Sequence, residues 1–227
     1  MKKINIAIDG PSGAGKSSVS EALAKKLNYI FINTGSFYRA VALYSLRNNI
    51  DPTDENEVIA NLQTLNPHSI TINNQEQIFL DGENITNTIR ADQISKYASQ
   101  IAAYKLVREF VVNRIQHITK NDKGYIMDGR DTTFRIMPYA EVKIFLTASA
   151  SERAKRRIKQ NYESGYNTDY QTVYEEVKQR DYQDSHRATD PLHKVEDAIE
   201  IDCTEMNFEA VLNKIIEIVE SKVNDAK

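Results

Sequence analysis

The sequence predicts an α/β fold: a five-stranded parallel sheet covered by helices on both faces, with a small antiparallel lobe inserted. Three observations predict it. Short apolar runs alternate with stretches of helical periodicity, a glycine-rich loop joins the first run to the first helix, and one internal stretch replaces this rhythm with period-two alternation.

Ile4, Ile6 and Ile8 alternate as a first strand, and Val19, Ala22, Leu23 and Leu27 mark one face of the helix that follows. "YIFI" at 29–32 reads as a second strand. "SFYRAVALYSLRNN" is helical, with Val41, Tyr44 and Leu46 among its apolar positions. "GYIMDG", "VKIFL" at 142–146 and "AIEID" at 198–202 complete five strands. Between about 51 and 123 a short acidic helix ("TDENEVIANLQTL") precedes "SITINNQEQIFLDGENIT", whose Asn-Asn and Asp-Gly pairs signal turns. "ADQISKYASQIAAYKLVREFVVNRIQHI" then reads as one long helix. The expected organisation is a core of 1–50 and 124–227 and an inserted lobe of 51–123. The terminal helix, with Val211, Ile215, Ile218 and Val219, is expected to pack on the sheet.

At 227 residues the chain can bury one sizeable core, and 41% hydrophobic with 27% charged residues is ordinary globular usage. The single cysteine, Cys203, leaves no internal disulfide and fits a reducing compartment. The start, Met-Lys-Lys-Ile-Asn-Ile-Ala-Ile, mimics the basic head of a signal peptide, but its apolar run stops at Asp9. A cytoplasmic protein with no membrane association is expected. A net charge of -3 argues against general nucleic-acid binding. Arginines nevertheless cluster at Arg153, Arg156 and Arg157 and at Arg180 and Arg187, which suits a small anion.

Gly10-Pro11-Ser12-Gly13-Ala14-Gly15-Lys16-Ser17 matches G-x-x-x-x-G-K-[ST] between a strand and a helix. Such a loop turns backbone N–H groups inward on a chain of phosphates, and the helix N-terminus adds partial positive charge. Lys16 is expected on the outer phosphates of a nucleoside triphosphate and Ser17 on magnesium, with Ser18 beside them. The loop identifies a P-loop NTPase sandwich but not what is done with the phosphate.

"NTGSFYR" (33–39) follows the second strand, "YIMDGRD" (125–131) ends the third, and "RDYQDSHRATDPL" (180–192) closes a helix. Ligands of open parallel sheets collect at the carboxyl ends of strands, so the first two belong beside the phosphate loop. Arg180, Asp184 and Arg187 have i, i+4, i+7 spacing and are expected on one helical face.

Taken with "IDGPSGAGKS", "YASQIAAYKLVRE" and "VKIFLTASASERAKRR", these motifs resemble, in order and spacing and over essentially the whole length, the bacterial-type cytidylate kinases among the P-loop nucleoside-monophosphate kinases. The resemblance implies that ATP phosphorylates CMP, and dCMP, with magnesium. Arg39 and Arg130 would hold the acceptor phosphate. Arg108 and Arg187 would contact the cytosine, with Asp131 and Thr34 near its edge and Tyr38 in the same substrate set. Ser99, Arg180 and Asp184 would touch the ribose. Cytosine offers an N4 donor beside N3 and O2 acceptors, so a carboxylate and donors together suit it, whereas a carboxylate would repel the O4 of uracil. Asp128 reads either as a capping carboxylate or, preferably, as a holder of magnesium-bound water.

Arg153 and Arg157, four apart on a helix that Ser149 and Glu152 cap, would belong to a lid spanning about 153–187, one against adenine and one on the phosphates. "ESGYNT" would be its tip, and Arg156 is read as solvated. Lys16, Arg130 and Arg157 are the expected catalytic cations. The acceptor is already an anion, so no general base is needed, and His68, His117, His186 and His193 are read as ordinary polar residues. A monomer is the default.

The pattern departs at Thr133, where the family usually has glycine, at Phe134, where it has threonine, and at Asn33, which replaces an acidic residue. A backbone conformation reserved for glycine is then unavailable to the 132–138 loop, which bears on acceptor preference more than on the reaction. Two rivals stand beside this reading. One is a kinase of UMP or AMP; adenylate kinases carry Gly-Phe-Pro-Arg where this chain has Gly129-Arg130-Asp131. The other is a nucleotide-dependent regulatory protein, which would have no use for Arg130 together with Arg180, Asp184 and Arg187.

Overall fold

The computed structural model describes residues 3–163, 165–187 and 189–225. In chain order its elements are β1 (Ile6–Asp9), α1 (Lys16–Leu27), β2 (Ile30–Ile32), α2 (Thr34–Arg47), α3 (Glu55–Thr64), β3 (Ile70–Ile72), β4 (Ile78–Leu80), β5 (Glu83–Asn84), α4 (Asp92–Ile101), α5 (Lys105–Asn121), β6 (Tyr125–Gly129), β7 (Val142–Thr147), α6 (Ala150–Glu163), α7 (Tyr170–His186), β8 (Ile199–Asp202) and α8 (Phe208–Asp225). A five-stranded parallel sheet runs in the order β2-β6-β1-β7-β8, and a three-stranded antiparallel sheet in the order β3-β4-β5. The predicted α/β class and all five core strands are present.

The chain forms two compact units, 1–31 with 123–227, and 32–122. In the first, β1 lies between β6 and β7 in parallel register, Ile8 opposite Asp128 and Ile144. Strands with neighbours on both edges and helices on both faces bury nearly every residue, which explains the uninterrupted apolar runs of β1 and β6. Their side chains join Val19, Leu23 and Ala24 of α1 and Val211, Leu212, Ile215 and Val219 of α8 in one core. The terminal helix therefore packs on the sheet as expected. A second, small cluster of Ala154, Val173 and Val177 joins α6 to α7. Of the expected lid tip, Ser164 lies outside the described residues, and Gly165 has φ +84°.

The second unit departs from the expected lobe at its start and in its long helix. It begins at 32 rather than 51, because α2 packs on α3, α4 and α5. The long helix predicted over 92–119 is two helices, α4 and α5, separated by Ala102–Tyr104. Tyr104 turns to extended backbone (ψ 126°) and its hydroxyl donates to the Pro52 carbonyl at 2.8 Å, while the Tyr97 hydroxyl donates to Ile50 at 2.7 Å. These tertiary bonds break a stretch that contains no glycine or proline. The hairpins match expectation: Asp81 (φ +50°) and Gly82 (φ +82°) make the turn between β4 and β5, a conformation that Asp-Gly favours. Among the described residues no helix is long and apolar enough to cross a membrane.

A candidate active site at the carboxyl end of the sheet

Gly10 follows β1 where a Cβ would collide with the Leu146 carbonyl of β7, so only glycine lets the loop leave the sheet here. The loop closes on Gly15 (φ +92°), the N-cap of α1, which has no side-chain cap and no acidic residue in its first turn. The electropositive helix end is thus left for an anion. Lys16 is buried, and its Nζ donates to the carbonyls of Gly10 and Pro11 at 2.7 Å each. Burial, and secondarily the nearby Arg130, lower its pKa from 10.5 to about 7, against the opposing pull of Asp128, Asp9 and Asp184.

Register places Asp128 beside Ile8, and the Ser17 hydroxyl donates to its Oδ2 at 2.7 Å. Burial is the chief cause of a raised Asp128 pKa, partly offset by the Ser17 bond and the Lys16 and Arg130 charges. A hydroxyl and a carboxylate side by side are the hard oxygen donors that magnesium takes from protein, substrate phosphates and water supplying the rest. The residues fit that ion. Asp128 is the penultimate residue of β6 and accepts from the side chain of Ser17 in the first turn of α1.

One residue on, Arg130 Nε donates to Asp184 Oδ2 at 2.5 Å, and Asp131 pairs with Arg187 Nη2 at 3.5 Å. The helical face predicted for Arg180, Asp184 and Arg187 holds only for the first two. The helix ends at His186, Arg187 is extended (ψ 145°), and its guanidinium turns onto the Asp190 carbonyl and Asp131. Arg180 instead lines a pocket with Ser12, Gly13, Arg157, Glu176, Val173 and Val177, into which Arg153 also reaches.

Arg153 is 4% exposed and forms a two-pronged ion pair with Asp181, 2.6 and 2.7 Å, while donating to the carbonyls of Ser12 and Ala148. It ties α6 and α7 to the phosphate loop. Arg157 is exposed at the pocket. Ser149 Oγ accepts from Glu152 N–H as expected of a cap, but Glu152 turns to Arg156 rather than back to Ser149. Arg156 is not solvated. It is half-buried and donates to the carbonyls of Cys203 (2.8 Å) and Ala14 (3.4 Å), a role a lone arginine in a basic run does not announce.

Asp9 does more than end an apolar run. It is fully buried and accepts from Thr132 N–H (2.9 Å), Thr133 N–H (2.7 Å) and the Thr133 hydroxyl (2.6 Å). These bonds hold a π-helical turn, Thr132–Ile136, against the end of β1. No residue of 131–137 has positive φ, so the absent glycine costs this loop nothing. A carboxylate closing an apolar strand was the available signal.

Thr34, Tyr38 and Arg39 lie in the first turns of α2, Ser99 near the end of α4 and Arg108 in the first turn of α5, all in the second unit. Ser18 follows Ser17 in the first turn of α1 and is exposed.

The family model for cytidylate kinase matches residues 6–221. The chain belongs to the cytidylate kinase family. It is 53% identical over 221 residues to the cytidylate kinase of Mycoplasmopsis agalactiae, covering 97% of this chain and 99% of that one. It is 44% identical over 221 residues to the cytidylate kinase of Bacillus subtilis, covering 97% and 98%. A solved structure of an uncharacterized protein from Eubacterium ventriosum shares the fold with a TM-score of 0.56 at 12% identity, over 96% of this chain and 99% of that one.

Proposed function

We propose that the protein transfers the γ-phosphoryl group of ATP to CMP, and to dCMP, giving ADP and CDP or dCDP. Membership of the cytidylate kinase family supports the reaction. The observation that carries the site is the convergence of Lys16, Ser17, Asp128 and the Arg130–Asp184 and Asp131–Arg187 pairs on adjacent strand ends.

The ATP phosphates lie in the Gly10–Ser18 loop, with Lys16 turning from the Gly10 and Pro11 carbonyls to the outer phosphates. Adenine takes the pocket of Val173, Val177 and Arg157 above Ser12 and Gly13. Ser17 and Asp128 would hold magnesium, which would neutralise phosphate charge when bound. Arg39 and Arg130 hold the CMP phosphate, Asp131 with Arg108, Arg187 and Thr34 reads the base, and Ser99 and Asp184 meet the ribose, as does Arg180 on turning from the pocket that it lines, with Tyr38 in the same set. The second unit thereby serves the acceptor, and α6 with α7 acts as the lid. The acceptor phosphate attacks as an anion, so catalysis is positioning and charge neutralisation by Lys16, Arg130, Arg153 and Arg157. The enzyme works as a cytoplasmic monomer.

Coupled measurement of ADP formation with CMP, dCMP, UMP and AMP tests this. Stimulation greatest with CMP or dCMP is expected. Slow ADP release that no monophosphate stimulates would make the protein a nucleotide-dependent switch instead.

A further inference from the structure

Where α7 ends, Arg187 and residues 189–193 run against the 131–136 turn. Side-chain contacts among the described residues hold them there. Arg187 meets Asp131 at 3.5 Å, Arg135 meets Asp190 at 3.7 Å, and the rings of Phe134 and His193 lie 4.3 Å apart with planes inclined 35°. Between the end of α7 and the segment itself, the Leu192 N–H donates to the Asp184 carbonyl at 2.8 Å and the Arg187 guanidinium Nε donates to the Asp190 carbonyl at 2.7 Å. Both ion pairs are long and partly exposed, so solvent screens them. Of these contacts the ring pair is the one that solvent does not screen as a charge pair, and it is made by the residue that stands where the family pattern has threonine, a side chain with no ring.

We propose that Phe134 and His193 are positioning residues for the acceptor base: their stack sets the separation of the 189–193 segment from the 131–136 turn, and with it the Arg187–Asp131 pair. The inference rests on the assignment of that pair to cytosine. Phe134 is half-buried and its turn is already anchored to Asp9, so the stack governs docking of the segment rather than formation of the turn. His193 is exposed, its Nδ1 lying 2.8 Å from the Pro191 carbonyl, which holds the ring at the segment's end.

Steady-state kinetics of the full chain test this. Phe134→Leu and His193→Ala are each expected to raise the KM for CMP about three- to tenfold, the range of an aromatic pair, while the KM for ATP and kcat stay within about twofold. The double variant should be no worse than the more affected single, and Phe134→Tyr, which keeps the stack, should retain the original KM. A CMP KM unchanged in both single variants, an ATP KM rising in step, or additive effects would overturn the inference. His193→Ala decides alone should Phe134→Leu fail to fold. An unsubstituted protein that CMP does not stimulate overturns the proposed activity as well, whereas a CMP-active protein with insensitive variants overturns this inference only.

Discussion

The Lys16 ammonium is buried against two backbone carbonyls, and burial brings its pKa down to about 7 from 10.5. The folded protein therefore loses this proton before the unfolded chain does. Between those values the unfolded state binds more protons, so folding stability rises with pH across the window. Lys16→Met removes this component. Denaturant midpoints of the two proteins at about pH 7 and about pH 10 should show the gap moving in favour of the unsubstituted protein at the higher pH. The same variant, or Lys16→Ala, should lose roughly 10²- to 10³-fold or more in kcat with the fold retained. Turnover at the original rate would remove Lys16 from the reaction. Asp131 is buried beside Arg187, and the proposed function puts it at the acceptor base. Asp131→Ala should reduce the CMP over UMP preference about ten- to a hundredfold in kcat/KM.

At the scale of elements, two buried side chains hold the site's loops in place. Asp9 closes the Thr132–Ile136 turn onto β1, and removing its carboxylate strands two backbone N–H groups in the interior. Asp9→Ala should cost roughly 3 kcal/mol or more, read as a lowered thermal midpoint. Arg153 joins α6, α7 and the phosphate loop, where the apolar cluster is small: Ala154, Val173 and Val177 buried, with Ala150, Ile158 and Tyr174 packed at its edge. Cutting one partner of a buried pair costs about 3–5 kcal/mol, nearer the lower figure because Asp181 is partly open to solvent. With so small a cluster beneath it, Arg153→Met should loosen α6 and α7 locally. Hydrogen exchange should quicken in those helices and not in β1 or β6, and the KM for ATP should rise.

Across the whole chain, stability and chemistry are held in different places. The core under α8 and the sheet is built from Ile6, Ile8, Leu23, Ile144, Ile215 and their neighbours, away from the charged strand ends. Ile215→Ala should cost about 2–5 kcal/mol while leaving both KM values unchanged. The split into two units also follows from packing. Helix α2 belongs with α3, α4 and α5 because its buried residues, Phe37, Ala40, Val41 and Leu43, meet those helices.

Periodicity and local chemistry were enough to read five strands, the phosphate loop, the Asp-Gly turn and the residue types of the site. Each is a statement about neighbours in the chain: a buried parallel strand must be apolar throughout, a tight turn needs positive φ, and a phosphate cradle needs glycines before a helix. Long-range bonds were invisible to such reasoning. Asp9 reaches Thr133, 124 residues away, Arg156 reaches Cys203, and Tyr104 breaks a helix by reaching Pro52. Arg187 likewise leaves its helical face, its guanidinium bonding the Asp190 carbonyl three residues on and facing Asp131 across the fold.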